Sequence, residues 1–524
     1  MVRTSVTTAV ATLSLVFGET VRLNVARAPP ASSSPPISLD FQSFSIETAF
    51  LVDFQGNKSH PNRFTNNLLA NLRAFNGDVP QILRIGGNTQ DHVTYVPDQK
   101  EQIIDFWDPS YNSDQPRNSS VGPSFWEAFT AIEGTKYIVG LNFYKNDSTY
   151  LENLRGQVSE SLKQIPSDRL HLFEIGNEND YGALSGFRPP TWTQQDWVEE
   201  WIERARHIQT RDKSLRFYAP SACCYNITTP YSFFSPWTIW NSTFGYDRDG
   251  WIAEVSQHGY VSGTSQNPTL QVLSDEGAGT LMNHTSVVIN GTVHQSLCKL
   301  HHDAGRIYTL GETNSVSGQG AFGVSNVFGS ALFIVDYELY YASFGVNRMH
   351  MHQGTGYRYG AWLPIAQNGT GPSTNPPYYG HVMVSKFIGS HPKTKINNID
   401  LNSDFYSAYA AYENGRLARI VILNLHEWSP ASSAGAEAVK VPTTTFTIST
   451  GDRGIEYATV ELMTAPGALS ETNITVAGLS YDYHLAEGKP VRVAKQYESV
   501  LRPNRKGDIT VQVRHSQAVL LTFK

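Results

Sequence analysis

The chain has 524 residues, 40% hydrophobic and 17% charged, so it is long enough for two or three folded domains and does not resemble a disordered protein. Its formal net charge is −7, from 40 Lys and Arg against 47 Asp and Glu. This balance excludes a nucleic acid partner, because neutralising phosphates requires a basic surface. An acidic ligand would have to be recognised by a local site and not by the overall field.

Two features predict a secreted, extracellular protein without a membrane partner. Residues 1–18 contain Arg3 and a short apolar run, which is typical of a signal peptide and too short for a membrane span. Asn-x-Ser/Thr sequons predict N-glycosylation. The predicted acceptors are Asn57, Asn118, Asn146, Asn226, Asn241, Asn283, Asn290, Asn368 and Asn473.

The cysteines and histidines predict neither a metal nor a cofactor. No Cys/His zinc spacing occurs, and no phosphate-binding glycine loop follows a suitable strand. His350 and His352 share one face of a predicted strand, but no further ligand completes a site there. Cys298 could form a disulfide with Cys223 or Cys224, or all three cysteines could be unpaired.

The central part of the chain alternates short apolar runs with longer amphipathic segments, which predicts parallel strands covered by helices. A Pro/Ser-rich stretch (28–36) separates residues 19–36 from this region, which spans 37–391. We predict helices at 192–212 and 331–344. Eight predicted strands make a (β/α)8 barrel of α/β class: 39–47, 81–87, 136–143, 170–176, 215–220, 253–260, 306–311 and 346–352.

The last part of the chain, 392–524, has a different pattern. Its β-prone runs at 407–412, 417–425, 446–448, 458–463 and 509–513 are short and separated by turns such as Asn414-Gly415. This pattern predicts an antiparallel β-sandwich. The alternating segment 20–25 is predicted to add a strand to it.

Two glutamates follow apolar strands by the same pattern. Glu178 comes after Leu172-Phe-Glu-Ile-Gly-Asn, and Glu312 comes after Ile307-Tyr-Thr-Leu-Gly. In a (β/α)8 barrel the carboxyl ends of strands carry the catalytic groups, and these are strands 4 and 7, which stand across the barrel mouth. Two carboxylates held there can hydrolyse a glycosidic bond. The alternative is two surface glutamates at strand ends, or a structural ion pair.

The chain resembles glycoside hydrolase family 79, which contains β-glucuronidases and heparanase. The matching stretches follow the order of the family along the barrel: Phe44-Ser-Ile-Glu47, Leu83-Arg-Ile-Gly-Gly-Asn88, Glu174-Ile-Gly-Asn-Glu178, Gln257-His-Gly-Tyr260 and Gly311-Glu-Thr-Asn-Ser315. The predicted C-terminal sandwich is also similar to that of the family. The specificity lies in the combination, since each stretch alone is common.

The resemblance implies a role for each matching residue. Glu178 matches the general acid/base and Glu312 the nucleophile. Further residues match side chains that bind the sugar or orient the catalytic pair: Glu47, Asn88, Gln90, Asn177 and Tyr260. Arg84 is expected inside the barrel, paired with a catalytic-layer carboxylate or serving a purely structural ion pair. Tyr260 has the alternative of a packed aromatic at the barrel rim.

A glucuronidase must also bind the carboxylate on C5 of the sugar. The resemblance places this site in the loops after strands 7 and 8, where Ser317, Gly318 and Tyr357 are the expected contacts. Relatives have a tyrosine where this chain has Ser317, so the contacts must differ in detail. The alternative is two ordinary glycine-rich loops.

The expected function is that of a retaining exo-β-glucuronidase. It would release terminal β-linked glucuronic acid, with or without a 4-O-methyl group, from a glycan, with no cofactor. The alternatives are a heparanase-like endo-glucuronidase, a retaining glycosidase of neutral sugars, and a carbohydrate-binding protein. The sequence does not indicate an oligomeric state.

Overall fold

The computed structural model describes residues 19–223, 235–241, 244–271, 280–430, 441–451, 454–494 and 500–524. The predicted signal peptide (1–18), the sequon at Asn226 and Cys224 lie outside these residues. Within them, no helix is long and apolar enough to cross a membrane.

Eight parallel strands close into a barrel in which each strand pairs with the next one along the chain. All eight predicted strands overlap the observed ones, so the predicted (β/α)8 barrel is confirmed. Strands buried on both faces explain the nearly continuous apolar runs of the sequence. Barrel strands 1 to 8 are Gln42–Glu47, Gln81–Gly86, Thr135–Leu141, Leu170–Ile175, Phe217–Ala222, Ile252–Gly263, Ile307–Ser317 and Arg348–Gln353.

Most of the helices lie around the barrel, and the two predicted ones correspond to α4 and α6. A capping box between Thr193 and Asp196 fixes the start of α4. The helices of the described residues are α1 (Leu51–Gln55), α2 (Arg63–Arg73), α3 (Tyr150–Gln164), α4 (Gln194–Gln209), α5 (His284–Asp303), α6 (Phe328–Ser343), α7 (Pro376–Ile388) and α8 (Tyr483–Ala486).

The C-terminal region is a β-sandwich, as predicted. Its larger sheet contains the strands Lys395–Asn398, Tyr406–Glu413, Arg416–Asn424, Gln517–Phe523, Ala458–Thr464, Thr475–Val476, Leu479–Ser480 and Val491–Arg492 in that order, with Val500–Leu501 paired to Ala458–Thr464. The smaller sheet contains Thr20–Asn24, Thr443–Ser449 and Asp508–Arg514.

The N-terminal strand belongs to the sandwich, although the whole barrel separates it from the other sandwich strands in sequence. Thr20–Asn24 pairs in parallel with Thr443–Ser449. Leu23 is buried in the same core as Phe446 of the smaller sheet and Ile420 of the larger sheet. The chain therefore enters the sandwich, builds the barrel and returns, which ties the two domains together.

Helix α6 packs between the barrel and the sandwich and carries two buried carboxylates. Asp336 accepts hydrogen bonds from the Tyr409 hydroxyl of the sandwich (2.6 Å) and from His284 Nδ1 of α5 (3.0 Å). Glu338 lies 2.8 Å from His381 Nδ1 of α7. Buried charges of this kind require partners. The Asp336–Tyr409 bond joins the barrel to the sandwich, while the two histidines bind the carboxylates within the helical layer.

Two short β-sheets rise from the carboxyl-terminal end of the barrel. After barrel strand 2, the strands Val93–Tyr95, Asn118–Val121 and Ile103–Phe106 form a three-stranded sheet. After barrel strand 8, Trp362–Leu363 pairs with Ser373–Thr374. The loops that carry these sheets form one side of the barrel mouth.

The structure corrects the predicted cysteine chemistry and two glycosylation sites. Cys298 is a free, buried thiol in α5, while Cys223 is disulfide-bonded, so neither predicted arrangement is right. Asn283 caps α5 and is 1% exposed. Asn290 is half-buried, and its amide group bonds to the Tyr260 carbonyl oxygen and to the Tyr341 hydroxyl. Neither asparagine can carry a glycan in this fold.

The other described sequons remain predictions. Asn57 is half-buried, whereas five acceptors are exposed: Asn118, Asn146, Asn241, Asn368 and Asn473.

Candidate active site

Glu178 and Glu312 meet at the mouth of the barrel. Glu312 lies within barrel strand 7, and Glu178 comes three residues after barrel strand 4. One carboxylate oxygen of each lies within 4.8 Å of the other, and a ring nitrogen of His258 lies within the same distance of both. The sequence placed these two glutamates at facing strand ends, and the structure brings their carboxylates together.

Three groups surround the Glu312 carboxylate. The Tyr260 hydroxyl donates to Oε1 (2.8 Å), and Arg84 Nη1 donates to Oε2 (2.8 Å). His352 Nδ1 lies 3.7 Å from Oε2. Burial by itself would raise the pKa of Glu312, but the positive charges of His352 and Arg84 outweigh it and hold the pKa below its usual value. Glu312 is therefore ionised.

Glu178 is held through its backbone in an unusual conformation. Its φ is +50°, in the left-handed region that residues other than glycine rarely occupy. Its N–H donates to the Ser221 carbonyl oxygen (2.8 Å), and its own carbonyl oxygen accepts from the Tyr144 hydroxyl (3.0 Å). These two bonds hold the backbone of Glu178 in this strained conformation. Strained backbone conformations of this kind recur at functional sites.

The Glu178 carboxyl group faces the opposite electrostatic situation from Glu312. Burial and the negative charge of Glu312 raise its pKa. Its side chain is also the more accessible of the pair, at 22% exposed against 7% for Glu312. A protonated, partly accessible carboxylic acid beside an ionised carboxylate is the arrangement that acid catalysis of glycoside cleavage requires.

His258 contacts Glu178 and is neutral. Its Nδ1 lies 2.9 Å from Glu178 Oε1, and burial lowers the pKa of the imidazole to about 4. Its Nε2 is buried without a partner among the described residues. Because a buried N–H without an acceptor is rarer than an unused lone pair, the proton belongs on Nδ1. Oε1 of Glu178 then accepts that N–H, which leaves Oε2 to carry the acidic proton.

Arg84 is the central cation of the site. It is fully buried, and it donates from Nε to Glu174 Oε2 (2.7 Å), from Nη1 to Ser45 Oγ (2.9 Å) and from Nη2 to Asn177 Oδ1 (2.6 Å), besides its bond to Glu312. Arg84 therefore does more than form a purely structural ion pair, because it bonds to Glu312 as well as to Glu174. Glu174 forms the structural ion pair, and Glu312 is the catalytic-layer partner.

Asn177 is oriented on both sides. Its side-chain oxygen accepts from Arg84, and its Nδ2 donates to Asn88 Oδ1 (3.1 Å). Its backbone N–H donates to Asp91 Oδ2 (2.8 Å), while Asp91 Oδ1 accepts from the backbone N–H of Phe143 (2.5 Å). Asp91 thus joins the loops after barrel strands 2, 3 and 4, and the second Nδ2 hydrogen of Asn177 is available for a ligand.

Glu47 lies across the mouth from Glu178 and carries a network of its own. Its Oε2 accepts from the Thr89 N–H (2.9 Å), and its Oε1 lies 3.2 Å from His352 Nε2. Glu312 and Glu47 raise the pKa of His352 although burial alone would lower it. Gly87 makes room for this carboxylate: its φ is +80°, and a Cβ there would lie 2.6 Å from Glu47 Oε2.

The remaining predicted pocket residues occupy different places. Gln90 is buried inside the barrel, with its amide packed over Gly86 and Gly140, and its Nε2 donates to the Leu141 carbonyl oxygen (3.5 Å). The Tyr357 hydroxyl accepts from Gln115 Nε2 (2.9 Å) and lies 3.4 Å from Glu47 Oε1. In the structure Tyr357 therefore contacts Glu47.

The loop after barrel strand 7 keeps the geometry of a tight glycine loop. Ser317 ends the strand, and Gly318, Gln319 and Gly320 all have positive φ. The Gly320 N–H is already bonded to the Val316 carbonyl oxygen (3.1 Å). Only the earlier N–H groups of this loop are candidates for binding an anion.

Several residues at the site were not predicted from the sequence. His258 had a signal, because it lies two residues before Tyr260 and so on the same face of a strand. Asp91, Gln115, Tyr144 and Tyr359 had none. Gln115 and Tyr144 lie in loops, and the Tyr359 ring packs within 6.1 Å of both the Tyr260 and His352 rings.

Among the described residues, Glu178, His258 and Glu312 are the group whose ligand atoms are close enough to hold a metal ion. We assign no metal to this group. Glu312 is already bonded to Arg84 and Tyr260, and a cation beside the buried guanidinium would be repelled.

Comparisons with known proteins agree with this geometry. The family model described as "Glycosyl hydrolase family 79 C-terminal beta domain" matches residues 408–520. A "Beta-glucuronidase" of Aspergillus niger is 36% identical over 522 residues, covering 96% of this chain and 94% of its own. A "Beta-glucuronidase" of Neurospora crassa is 32% identical, covering 90% of this chain and 89% of its own.

Solved structures share the whole fold. A 4-O-α-L-rhamnosyl-β-D-glucuronidase from Fusarium oxysporum 12S, in complex with Rha-GlcA, superposes with a TM-score of 0.76 at 22% identity, covering 96% of this chain and 100% of its own. A family 51 arabinofuranosidase from Xanthomonas axonopodis pv. citri gives a TM-score of 0.60 at 11% identity, covering 96% and 100%. At these identities the structures show a common architecture.

Proposed function

Because the chain belongs to glycosyl hydrolase family 79, and is therefore a glycoside hydrolase, we propose that it is a retaining exo-β-glucuronidase. It releases terminal β-linked glucuronic acid, with or without a 4-O-methyl group, from a glycan through a covalent glycosyl-enzyme. The observation that carries the proposal is the pair of adjacent carboxyl groups in opposite surroundings: Arg84 and Tyr260 donate to Glu312, whereas Glu178 contacts His258, so the pKa of Glu312 is lowered and that of Glu178 is raised.

The carboxylate separation supports a retaining reaction. Retaining glycosidases hold the two groups about 5–5.5 Å apart, whereas inverting enzymes leave about 6.5–9.5 Å for a water molecule between them. Oxygens of Glu178 and Glu312 lie within 4.8 Å of each other. This spacing agrees with the retaining range and lets Glu312 reach the anomeric carbon directly.

In the first step Glu312 attacks the anomeric carbon while the glycosidic C–O bond breaks. Glu178 gives its proton, held on Oε2, to the departing oxygen, so the leaving group departs as a neutral alcohol. Glu312 loses its negative charge as it forms the ester bond, so the hydrogen bonds from Arg84 and Tyr260 weaken during this step. Asn177 is placed to donate its free amide hydrogen to the sugar hydroxyl next to the reacting carbon.

The second step reverses these roles. Esterification removes the negative charge of Glu312, which was one of the causes that raised the pKa of Glu178. The pKa of Glu178 falls, so the carboxylate left by the first step can take a proton from water. The water oxygen bonds to the anomeric carbon on the face that the leaving group vacated, the ester bond breaks, and glucuronic acid leaves with its original configuration.

Glucuronic acid as the sugar is supported by the two relatives named as β-glucuronidases, which cover almost the full chain. We assign the C5 carboxylate to the first N–H groups of the loop at Ser317 and Gly318, where hydrogen bonds from neutral donors to a charged acceptor are strong. The loops after barrel strands 2 and 8 close the far side of the pocket, which supports exo action.

We further propose that the enzyme is secreted and glycosylated. The signal-peptide pattern of residues 1–18 supports this, together with the exposure of five described sequon asparagines. The sugar chain that it acts on would then be extracellular.

Hydrolysis of 4-nitrophenyl β-D-glucuronide at about pH 4–6 tests the proposal. The β-glucoside and the α-L-arabinofuranoside run beside it, with Glu312→Ala as the inactive control. We expect turnover of the glucuronide alone, and NMR should show the β-anomer as the first product. A first-formed α-anomer would refute retention. Turnover of a neutral glycoside without the glucuronide would refute the assigned sugar.

A further inference from the structure

A second cavity lies directly behind one wall of the catalytic pocket. Its volume is about 530 Å³, and its lining includes Asp114, Phe322, Gly356, Arg358 and Asn368. We call it the outer cavity. The wall consists of the loop at Asp114 and Gln115, after barrel strand 2, and the loop 354–358, after barrel strand 8. None of the residues assigned to the chemistry lines this cavity.

In each of the two loops of the wall, neighbouring residues face opposite sides: one faces the catalytic pocket and the next faces the outer cavity. Gln115 and Tyr357 bond to each other (2.9 Å), and each lies 3.4 Å from Glu47 Oε1, so both face the catalytic pocket. Their chain neighbours Asp114 and Arg358 line the outer cavity. Arg358 Nη1 and Nη2 donate to Asp114 Oδ1 and Oδ2, both at 2.8 Å. We call this ion pair the clasp.

Arg358 also fastens the loop after barrel strand 7. Its backbone N–H donates to the Gln319 carbonyl oxygen (2.8 Å), and its Nε donates to the Gly320 carbonyl oxygen (3.2 Å). A bidentate Arg–carboxylate pair is stronger and more directional than a single contact. The side chains of Arg358 and Asp114 are only 14% and 27% exposed, so solvent screens the pair incompletely.

The position of the wall determines which end of the sugar meets it. Barrel strand 8 stands across the closed barrel from barrel strand 4. The leaving group departs past Glu178, on the strand 4 side. The atom of a pyranose ring farthest from the anomeric carbon is C4, so a substituent on O4 points at the wall, and behind the wall lies the outer cavity.

We propose that the clasp excludes glucuronic acid that carries a further sugar on O4, and that the outer cavity binds this sugar once the clasp is opened. This inference rests on the proposed function. A volume of about 530 Å³ lies within the range of roughly 300–1,000 Å³ that is usual for small-ligand sites. Phe322 offers an apolar ring face there: its side chain is 79% exposed and lies under the Arg358 guanidinium (5.4 Å).

The test compares two chromogenic substrates, 4-nitrophenyl β-glucuronide and the same compound with a glycosyl group on O4. In the double variant Asp114→Ala/Arg358→Ala, we expect the ratio of kcat/KM for the extended over the simple substrate to rise at least about tenfold. Equal loss on both substrates, or an unchanged ratio, would overturn the proposal, because the ion pair would then only support the fold.

A matched control and a rescue separate the clasp from general damage. Arg248 Nη1 and Nη2 donate to Glu199 Oε1 and Oε2 (3.0 and 3.1 Å), which makes another bidentate pair. This pair is exposed and remote from the site, so Arg248→Ala should leave the ratio unchanged. The charge swap Asp114→Arg/Arg358→Asp restores the ion pair and should return the ratio toward that of the parent. We call Asp114→Ala/Arg358→Ala the open variant. If the charge-swapped enzyme shows the same raised ratio as the open variant, the clasp does not control access to the outer cavity.

The outer cavity is tested separately from the wall. In the open variant, Phe322→Ala should lower kcat/KM for the extended substrate alone, and an equal effect on both substrates would contradict binding there. Asn368→Gln removes the sequon at the cavity. It should leave the ratio of kcat/KM for the extended over the simple substrate unchanged, both in the parent and in the open variant. If the parent enzyme does not hydrolyse the simple glucuronide, the proposed function fails. In that case calorimetry can still measure the affinities of the parent and of the open variant for glucuronic acid and for its O4-extended disaccharide. The proposal then predicts that only the open variant binds the disaccharide.

Discussion

The barrel mouth holds the same side chain twice, after strand 4 and within strand 7, in opposite surroundings. At strand 7, Glu312 receives hydrogen bonds from Arg84 and Tyr260 and stays ionised. At strand 4, Glu178 has only a neutral imidazole beside it and faces the charge of Glu312. In the proposed mechanism the two glutamates therefore differ in role because of their neighbours, since the side chains themselves are identical.

The balance of charge across the mouth explains why one carboxyl group must stay protonated. The carboxyl groups of Glu47, Glu174, Glu178 and Glu312 share the positive charges of Arg84 and His352. Arg84 is bonded to two of them and His352 lies near two, and neither is bonded to Glu178. A fourth carboxylate there would be an unpaired buried charge, so protonation of Glu178 is the least costly state.

The largest expected effect is the loss of the nucleophile. Glu312→Gln keeps the shape of the side chain but cannot form the glycosyl ester, so kcat should fall roughly 10⁴- to 10⁶-fold. Release of 4-nitrophenol from the glucuronide measures this. The corresponding Glu312→Ala variant should regain activity with azide and give the α-glycosyl azide. A β-glycosyl azide from this variant would mean that the roles of the two glutamates are exchanged.

Loss of the acid should depend on the leaving group. Glu178→Gln cannot protonate the departing oxygen, so glycosides of poor leaving groups should lose about 10²- to 10⁴-fold in kcat/KM. Glycosides of strongly acidic phenols need no proton and should lose far less. A series of aryl glucuronides of increasing phenol pKa measures this dependence. An equal loss across the series would contradict the acid role.

The two glutamates should change stability in opposite directions. Glu312 has a lowered pKa, so its ionised form stabilises the fold above its unfolded pKa. Glu312→Gln weakens a buried pair with Arg84 and should cost about 3 kcal/mol at neutral pH. Glu178 has a raised pKa, so wild-type stability is full below the unfolded value of 4.5 and is lost as the pH rises above it.

Glu178→Gln removes this pH-dependent loss of stability, so Tm at pH 7 should rise. The increase in Tm should disappear below about pH 4.5. Thermal unfolding of both variants from pH 4 to pH 8 provides the measurement. Shifts of the same sign in the two variants at pH 7 would contradict the opposite protonation states.

A smaller effect is expected at Tyr260. Tyr260→Phe removes one hydrogen bond to the ionised Glu312 and leaves Arg84 in place. Without this bond the Glu312 carboxylate is less well oriented toward the anomeric carbon, so kcat should fall roughly 10- to 150-fold. The acidic limb of the pH–rate profile should move to higher pH, because the Glu312 carboxylate is less stabilised. A lower kcat with an unmoved acidic limb would indicate that Tyr260 acts only through packing.

The smallest effect is expected at His258. His258→Ala removes the N–H donor to Glu178 Oε1, which stabilises the ionised form of that carboxyl group. The pKa of Glu178 should rise further, so the basic limb of the pH–rate profile should move upward by less than about one pH unit. A downward shift would show that the Glu178 carboxyl group donates to His258 instead, with the ring proton on Nε2.

The predictions from sequence succeeded where a short stretch of chain contains its own signal. Several barrel strands are buried apolar runs that lead into Gly, Asn or Pro, so the strands at 170–176 and 306–311 were predicted with the glutamates just after them. The observed strand 7 is longer and includes Glu312. The predictions failed where contacts join distant segments. The amide groups of Asn283 and Asn290 match the sequon pattern, but packing around α5 buries or bonds both.

The sequence by itself determined the succession of strands and helices, and hence the barrel, because hydrophobic periodicity and turn residues act over a few neighbours. It also determined that Glu178 and Glu312 meet, because parallel strands of a closed barrel end on one face. Only the tertiary structure decided which carboxyl group is charged. Arg84, His352 and Tyr260 come from three other strands, and electrostatic energies depend on distances across space that spacing along the chain does not contain.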